Sequence, residues 1–347
     1  IGRAEIHAFF RFGALMRLLM VTGSCLGTNV LRRVFPQDLS GVDKSTRAPW
    51  RELWGDFEEK ALREIATLDD TALFCRGVLE QVLRWDSECI LAGDQIPSNL
   101  VHEVPEHHEV LRPTWVLGDA SDSADGFEER APWERILVTL LPPDVDPEEI
   151  QRKGRWKESP VGKMAALLRG TGHRAGIVTN GTNWVLVSAP PGGPDGTATW
   201  PAEWMISEIL LLRAFVSLLS MDRTLGSPEG ERLSDVLASS VDEQKDVTEK
   251  LGLQMRRSVE LFVQELDRAD RDRLSTTGSD GSLLKAVPPA LIYESAVTFL
   301  MRIVFLLCAE ERKLLPIDQA AYSENYAAST LRESLEQVSD RLGPDVL

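Results

Sequence analysis

Apolar residues recur at three- and four-residue spacing through the first 95 positions. This spacing predicts helices over residues 6–21, 29–34, 54–65 and 71–85, with Leu73, Phe74, Gly77, Val78 and Val82 marking the last one. Residues 41–49, rich in Gly, Pro, Ser and Asp, predict a loop. Beyond residue 95 the period shortens. Arg112-Pro-Thr-Trp-Val-Leu117 reads as an extended segment, and Ile136-Leu-Val-Thr-Leu-Leu141 as an apolar strand closed by Pro142-Pro143. A basic helix is expected over 159–169. Two short strands then flank Asn180-Gly181, a dipeptide that predicts a tight type I′ hairpin. After a surface loop at 190–196, Leu210, Leu211, Ala214, Phe215, Leu218 and Leu219 predict a helix packing back on this unit.

Residues 229–347 carry only the helical period. A stripe runs from Leu233 to Leu266, a Thr-Gly-Ser-Asp linker comes next around 276–282, and residues 290–314 are apolar nearly all round, which predicts a buried central helix ended by Pro316. The expected fold class is therefore α+β: a helical N-terminal segment over 1–95, an α/β domain over 96–228 and an all-helical bundle over 229–347. All nine tryptophans lie at or before Trp204, in keeping with a compositional break between the mixed and the helical parts.

The net charge of −16 argues against a uniformly basic nucleic-acid-binding surface, but the charge is unevenly spread. Residues 101–150 hold 13 acidic and 3 basic side chains; residues 151–174 hold 7 basic and 1 acidic. Cys25, Cys75, Cys89 and Cys308 are far apart without CxxC spacing, the usage of free thiols in a reducing cytoplasm. The apolar run 296–309 is interrupted by Arg302 and is shorter than a bilayer requires, so neither a membrane span nor a signal peptide is expected. A start at Ile1 and an end at Leu347 within a helical pattern suggest a piece of a longer polypeptide.

Five features invite a chemical reading. Three of the five histidines lie in His102-Glu-Val-Pro-Glu-His-His-Glu109, but Pro105 interrupts helical spacing and the HExxH pattern is absent, so a polar loop is expected rather than a metal site. Gly170-Thr-Gly-His-Arg-Ala-Gly176 comes after a helix and precedes a strand, the reverse of a dinucleotide-binding loop. Arg152, Lys153, Arg155, Trp156 and Lys157, with Lys163 on the helix behind them, form a basic run with an aromatic. Such cations neutralise phosphates and such a ring stacks on an unpaired base. Arg32 and Arg33 are a second basic candidate. Arg302, on a helix expected to be buried, should pair with a carboxylate such as Glu294.

These segments carry two resemblances. The order of residues 112–187 resembles the PD-(D/E)xK nuclease-like domain that opens type I restriction subunits. At the family's three metal-site positions this chain has Thr114, Thr139 and Leu141, so the resemblance implies a degenerate domain without the cation ligands. The segment from Tyr293 to Pro316, together with Leu31-Arg-Arg-Val-Phe-Pro36, Arg112–Leu117 and Ile177–Leu186, resembles the N-terminal region of large bacterial DNA adenine methyltransferases. These include type IIG restriction-modification enzymes and the methylases of BREX (PglX) and DISARM defence systems. The likeness covers nearly the whole chain. No FxGxG-type S-adenosylmethionine loop is present, and the Pro-Pro pairs at 142, 190 and 288 are followed by Asp, Gly and Ala instead of the aromatic of a [DNS]-P-P-[YF] element.

The resemblance thus implies a non-catalytic N-terminal part that contacts double-stranded DNA or docks other subunits of a cytoplasmic defence complex. Adenine methylation from S-adenosylmethionine would belong to a domain beyond Leu347, with no cofactor or metal held by these residues. Two rival expectations are an active endonuclease using carboxylates such as Asp119 and Glu134, and a pure protein-interaction module, which the acidic charge favours.

Overall fold

The computed structural model describes residues 14–16, 18–119, 135–152, 154–277 and 281–342. The fold is mixed α+β, and the chain divides between Lys245 and Asp246 into two compact units. The first unit is built on a seven-stranded sheet. Its strands are β1 (Met20–Thr22), β2 (Ile90–Ala92), β5 (Trp115–Leu117), β6 (Ile136–Leu140), β7 (Ala175–Thr179), β8 (Asn183–Ser188) and β9 (Gly196–Pro201), in the order β1-β9-β8-β7-β6-β5-β2. A separate hairpin joins β3 (His102–Val104) to β4 (Glu109–Leu111). Among the described residues only β6 and β7 pair in parallel, and a parallel pair needs a crossover. The longer helices of this unit before residue 220 are α1 (Thr28–Val34), α2 (Lys44–Leu62), α3 (Leu68–Gly77), α4 (Pro160–Thr171) and α5 (Ile209–Leu219); α4 supplies that crossover.

Alternation along β6 shows why its sequence is apolar but for Thr139. Ile136, Val138 and Leu140 join a core with α1, α2, α3 and α5, whereas Leu137 and Leu141 join a second core with Met164, Ala165, Leu167 and Leu168 of α4. Both faces of the strand are covered, so both are mainly apolar, and the one polar residue, Thr139, is half-buried. An aromatic cluster fills the first core: Phe74 stacks on Phe57 at 4.7 Å, and Phe215 meets Trp184 edge-on at 5.3 Å. Helix α4 starts at the Ser159 cap, whose hydroxyl accepts from the Gly162 amide, and ends on the left-handed Gly172 (φ 74°). The Gly-rich segment at 170–176 is thus a helix end leading into a strand.

Several sequence expectations are corrected by the fold. Met20–Thr22 is an edge strand on β9, not the end of a helix. Helix α2 begins ten residues before position 54, because Asp43 caps it by accepting from the Thr46 amide and the Ser45 hydroxyl. Residues that signalled a loop are its cap and first turns. Leu73 is 71% exposed while Phe74, Val78 and Val82 are buried. The β7–β8 turn is not type I′: Gly181 has φ +86°, but Asn180 does not enter the positive region. Instead the Asn180 carboxamide oxygen accepts from the amides of Thr182 and Asn183, an arrangement that closes the turn from the side chain.

The long helix α6 (Leu233–Thr277) carries the chain into the second unit, which also contains α7 (Pro289–Glu311), α8 (Ala320–Asn325) and α9 (Ala328–Leu342). Within this unit Phe262 stacks on Phe299 at 5.0 Å. Asp270 ties the end of α6 to the next segment by accepting from the Ser282 hydroxyl and the Leu283 amide. Helix α7 is not the buried centre that its composition predicts. Only Ala296, Ala309 and Glu310 are buried on it, Phe305 is 71% exposed, and Arg302 is exposed rather than paired in a core. With water around its guanidinium, Arg302 has no need of a carboxylate. By length and composition α7 is apolar enough to cross a membrane, the one such helix among the described residues.

Candidate nucleic-acid interface

The sheet positions the basic run through the segment between β6 and α4. Pro142-Pro143 ends β6, and Asn180 anchors the stretch after it: its Nδ2 donates to the carbonyls of Val145 (3.0 Å) and Pro143 (3.4 Å). Asn180 itself is 3% exposed, so the loop hangs from a buried side chain. Further along, the Glu148 carboxylate accepts from the Thr199 hydroxyl, and the Gln151 amide donates to the Glu158 carbonyl. The segment is therefore held at both ends.

Arg152, Arg155 and Lys157 are exposed, and no ion pair involves them among the described residues; Lys153 lies outside those residues. Arg152 shares a shallow pocket with Asp144, Asp146 and Glu149, which lowers the local potential there. Trp156 is half-buried. His107, at the tip of the β3–β4 hairpin, stacks on it with centroids 4.8 Å apart and planes within 4°, and the Lys163 ammonium lies 5.8 Å from its ring centre. A base stacking on Trp156 would have to share the indole with these two side chains. Lys163 also pairs with Glu109 at 2.7 Å. The histidine-rich segment is thus a hairpin whose tip covers the basic loop, and no group of three His, Cys, Asp or Glu among the described residues could hold a metal ion.

Thr114, Thr139 and Leu141 fall at one end of β5 and β6. The Thr114 hydroxyl accepts from the Leu140 amide, so it is committed to the sheet; Thr139 is half-buried and Leu141 buried against α4. Asp119 is half-buried at the edge of the described residues, and Glu134 lies outside them. Arg32 and Arg33 are placed elsewhere: Val30, Leu31 and Val34 of α1 pack in the core on the other face of the sheet from α4. Arg33 is exposed, and Arg32 is half-buried, donating to Asn29 at 3.4 Å.

Sequence reasoning missed His173, the residue after the α4 cap. It is 3% exposed, its Nδ1 contacts the Thr171 carbonyl and hydroxyl at 3.1 Å, and burial pushes its pKa down to about 4. At neutral pH the imidazole is uncharged and serves the helix end rather than a ligand. Also missed were Arg112 and Gln151, which line the same small cleft as Thr139 and Lys163. Their convergence has no signal in the sequence, since the four residues come from four separate segments.

No family model, no curated protein and no solved structure matches this chain.

Proposed function

We propose that the chain is the non-catalytic N-terminal part of an S-adenosylmethionine-dependent DNA adenine methyltransferase of a restriction-modification or antiphage system. In this reading the first unit is a degenerate nuclease-like domain that contacts the duplex backbone, and the second docks partner subunits in the cytoplasm. One arrangement carries the reading: Arg155 and Lys157 stand exposed on a loop anchored beside a strand end bearing Thr114, Thr139 and Leu141. Cations placed so attract phosphates, and hydroxyl and alkyl groups there cannot bind Mg²⁺ as carboxylates do. The strand–helix–strand unit β6-α4-β7 supports the nuclease-like assignment. For docking, the support is the set of exposed apolar residues Leu251, Leu261, Phe305, Leu331 and Leu335 on the helices of that unit.

Phosphate contacts would hold the duplex while a domain C-terminal to this region flips and methylates adenine, an extrusion that costs a few kcal/mol of unstacking. The test is incubation with supercoiled plasmid and Mg²⁺ or Mn²⁺ beside a duplex-binding titration. The reading expects binding without nicking. Nicking abolished by Asp119→Asn would replace it with the endonuclease reading, and no binding at low salt would leave a protein-interaction module.

A further inference from the structure

A cleft of about 120 Å³ lies between the end of β6 and α4. It is large enough for several waters and hence for a tetrahedral oxyanion. Its polar lining residues are Arg112, Lys163, Thr139 and Gln151, each of which carries N–H or O–H donors. Leu141 and Met164 are among its apolar walls, and no carboxylate among the described residues lines it. Arg112 spends one Nη on the Gly93 carbonyl at 2.5 Å and has no ion pair among the described residues, which leaves most of its five N–H donors for another acceptor. Lys163 is balanced by Glu109, which stands outside the lining. The lining is therefore net positive and rich in donors, with apolar walls beside the half-buried Lys163 and with Arg112 exposed at its side. Those conditions strengthen a charge-assisted hydrogen bond to an anion.

We propose that this cleft seats a phosphate group, with Arg112 and Lys163 as the charged ligands and Thr139 and Gln151 completing the shell. The ligand class rests on the cleft's own chemistry. That the phosphate belongs to a DNA backbone rests on the proposed function, and a free phosphate is the other source. Glu109 competes with the anion for Lys163, so removing its charge strengthens binding.

The experiment uses the whole chain with two probes, inorganic phosphate followed by ³¹P line broadening and a duplex titrated over salt concentration. The variants are the double R112Q/K163Q, the near-isosteric T139V and E109Q, each checked for folding by tryptophan fluorescence. Expected are saturable phosphate binding by the wild type, its loss in the double variant, weakening in T139V and tightening in E109Q. A disrupted fold would not produce opposite signs in R112Q/K163Q and E109Q. On the duplex, losing this one phosphate contact flattens the slope of log K against log salt by about 0.9, a loss of about 8-fold at 0.1 M relative to 1 M salt. Phosphate binding lost in the double variant with duplex binding unchanged, or without any duplex binding, assigns the cleft to free phosphate; the second result also overturns the DNA reading. Phosphate binding that is absent, indifferent to these variants, or weakened by E109Q overturns the cleft proposal. If the duplex is then still bound through residues 152–157, the DNA reading stands without it.

Discussion

Replacing Asn180 with alanine tests whether the basic loop is hung from the sheet by one side chain. Four of its hydrogen bonds measure 2.8–3.1 Å: to the Val145 carbonyl and from the Thr182 amide, the Thr182 hydroxyl and the Asn183 amide. At about 1 kcal/mol net for each, with the Thr182 hydroxyl able to turn to water, Asn180→Ala costs about 3 kcal/mol. All nine tryptophans lie at or before Trp204, so their fluorescence reports unfolding of the first unit alone. With a urea dependence of about 3 kcal/mol per molar, the midpoint falls by about 1 M. Asn180→Asp keeps the accepting oxygen but sets a second one against the carbonyls of Pro143 and Val145, so at neutral pH it destabilises at least as much as alanine. Asn180→Ala should also weaken duplex binding by freeing the loop that bears Arg152. A change below about 0.5 kcal/mol, the scale of an ordinary surface substitution, would refute this reasoning.

The pH dependence of the same unfolding signal tests His173, whose pKa burial lowers from 6.5 to about 4. Its folded pKa lies below the unfolded one, so its contribution is complete above pH 6.5 and falls by about 3 kcal/mol on acidification to pH 4; His173→Gln should flatten that limb, and an unchanged profile would refute it. In the second unit burial raises the Glu310 pKa, but hydrogen bonds from Ser329, Ala328 and Tyr322 outweigh it and set the value at about 2. Its contribution is present above about pH 4.5 and lost as the pH falls toward 2, and Glu310→Ala should speed amide exchange at Ala328 and Ser329 about tenfold or more, since it caps α9. Gly181→Ala should cost about 2 kcal/mol in urea unfolding, because φ is +86° and the new Cβ would stand 2.4 Å from Phe57 Cζ.

The middle of the chain was the most legible. The strands at 136–140, 175–179 and 183–188 and helix α4 lie where period and punctuation predict them, because each is long enough to show its pattern and is bounded by Pro or Gly. Strands β1 and β2 left no such signal. With three residues each, they are strands because β9 and β5 offer edges to pair with. The start of α2 was hidden because Asp and Ser serve helix caps as readily as loops. Helix α7 shows the limit of composition, since an apolar face does not say whether its own chain covers it. At the candidate interface the exposure of Arg155 and Lys157 was readable from their run of neighbours. The stacking of His107 on Trp156, 49 positions away, and the meeting of Arg112, Thr139, Gln151 and Lys163 arise only from the fold.

The central claim is that the first unit holds duplex DNA by its backbone through the loop after β6. Replacing Arg152, Lys153, Arg155 and Lys157 together with alanine, and measuring duplex affinity across salt concentration, tests it most directly. Each lost phosphate contact flattens the slope of log K against log salt by about 0.9, so the account predicts a change of about two to four, equal for unrelated DNA sequences. The urea midpoint should stay within about 0.5 kcal/mol of wild type, as for exposed charges. A quadruple variant that keeps both its affinity and its salt slope would contradict the account and move the search for a DNA face to Arg32 and Arg33.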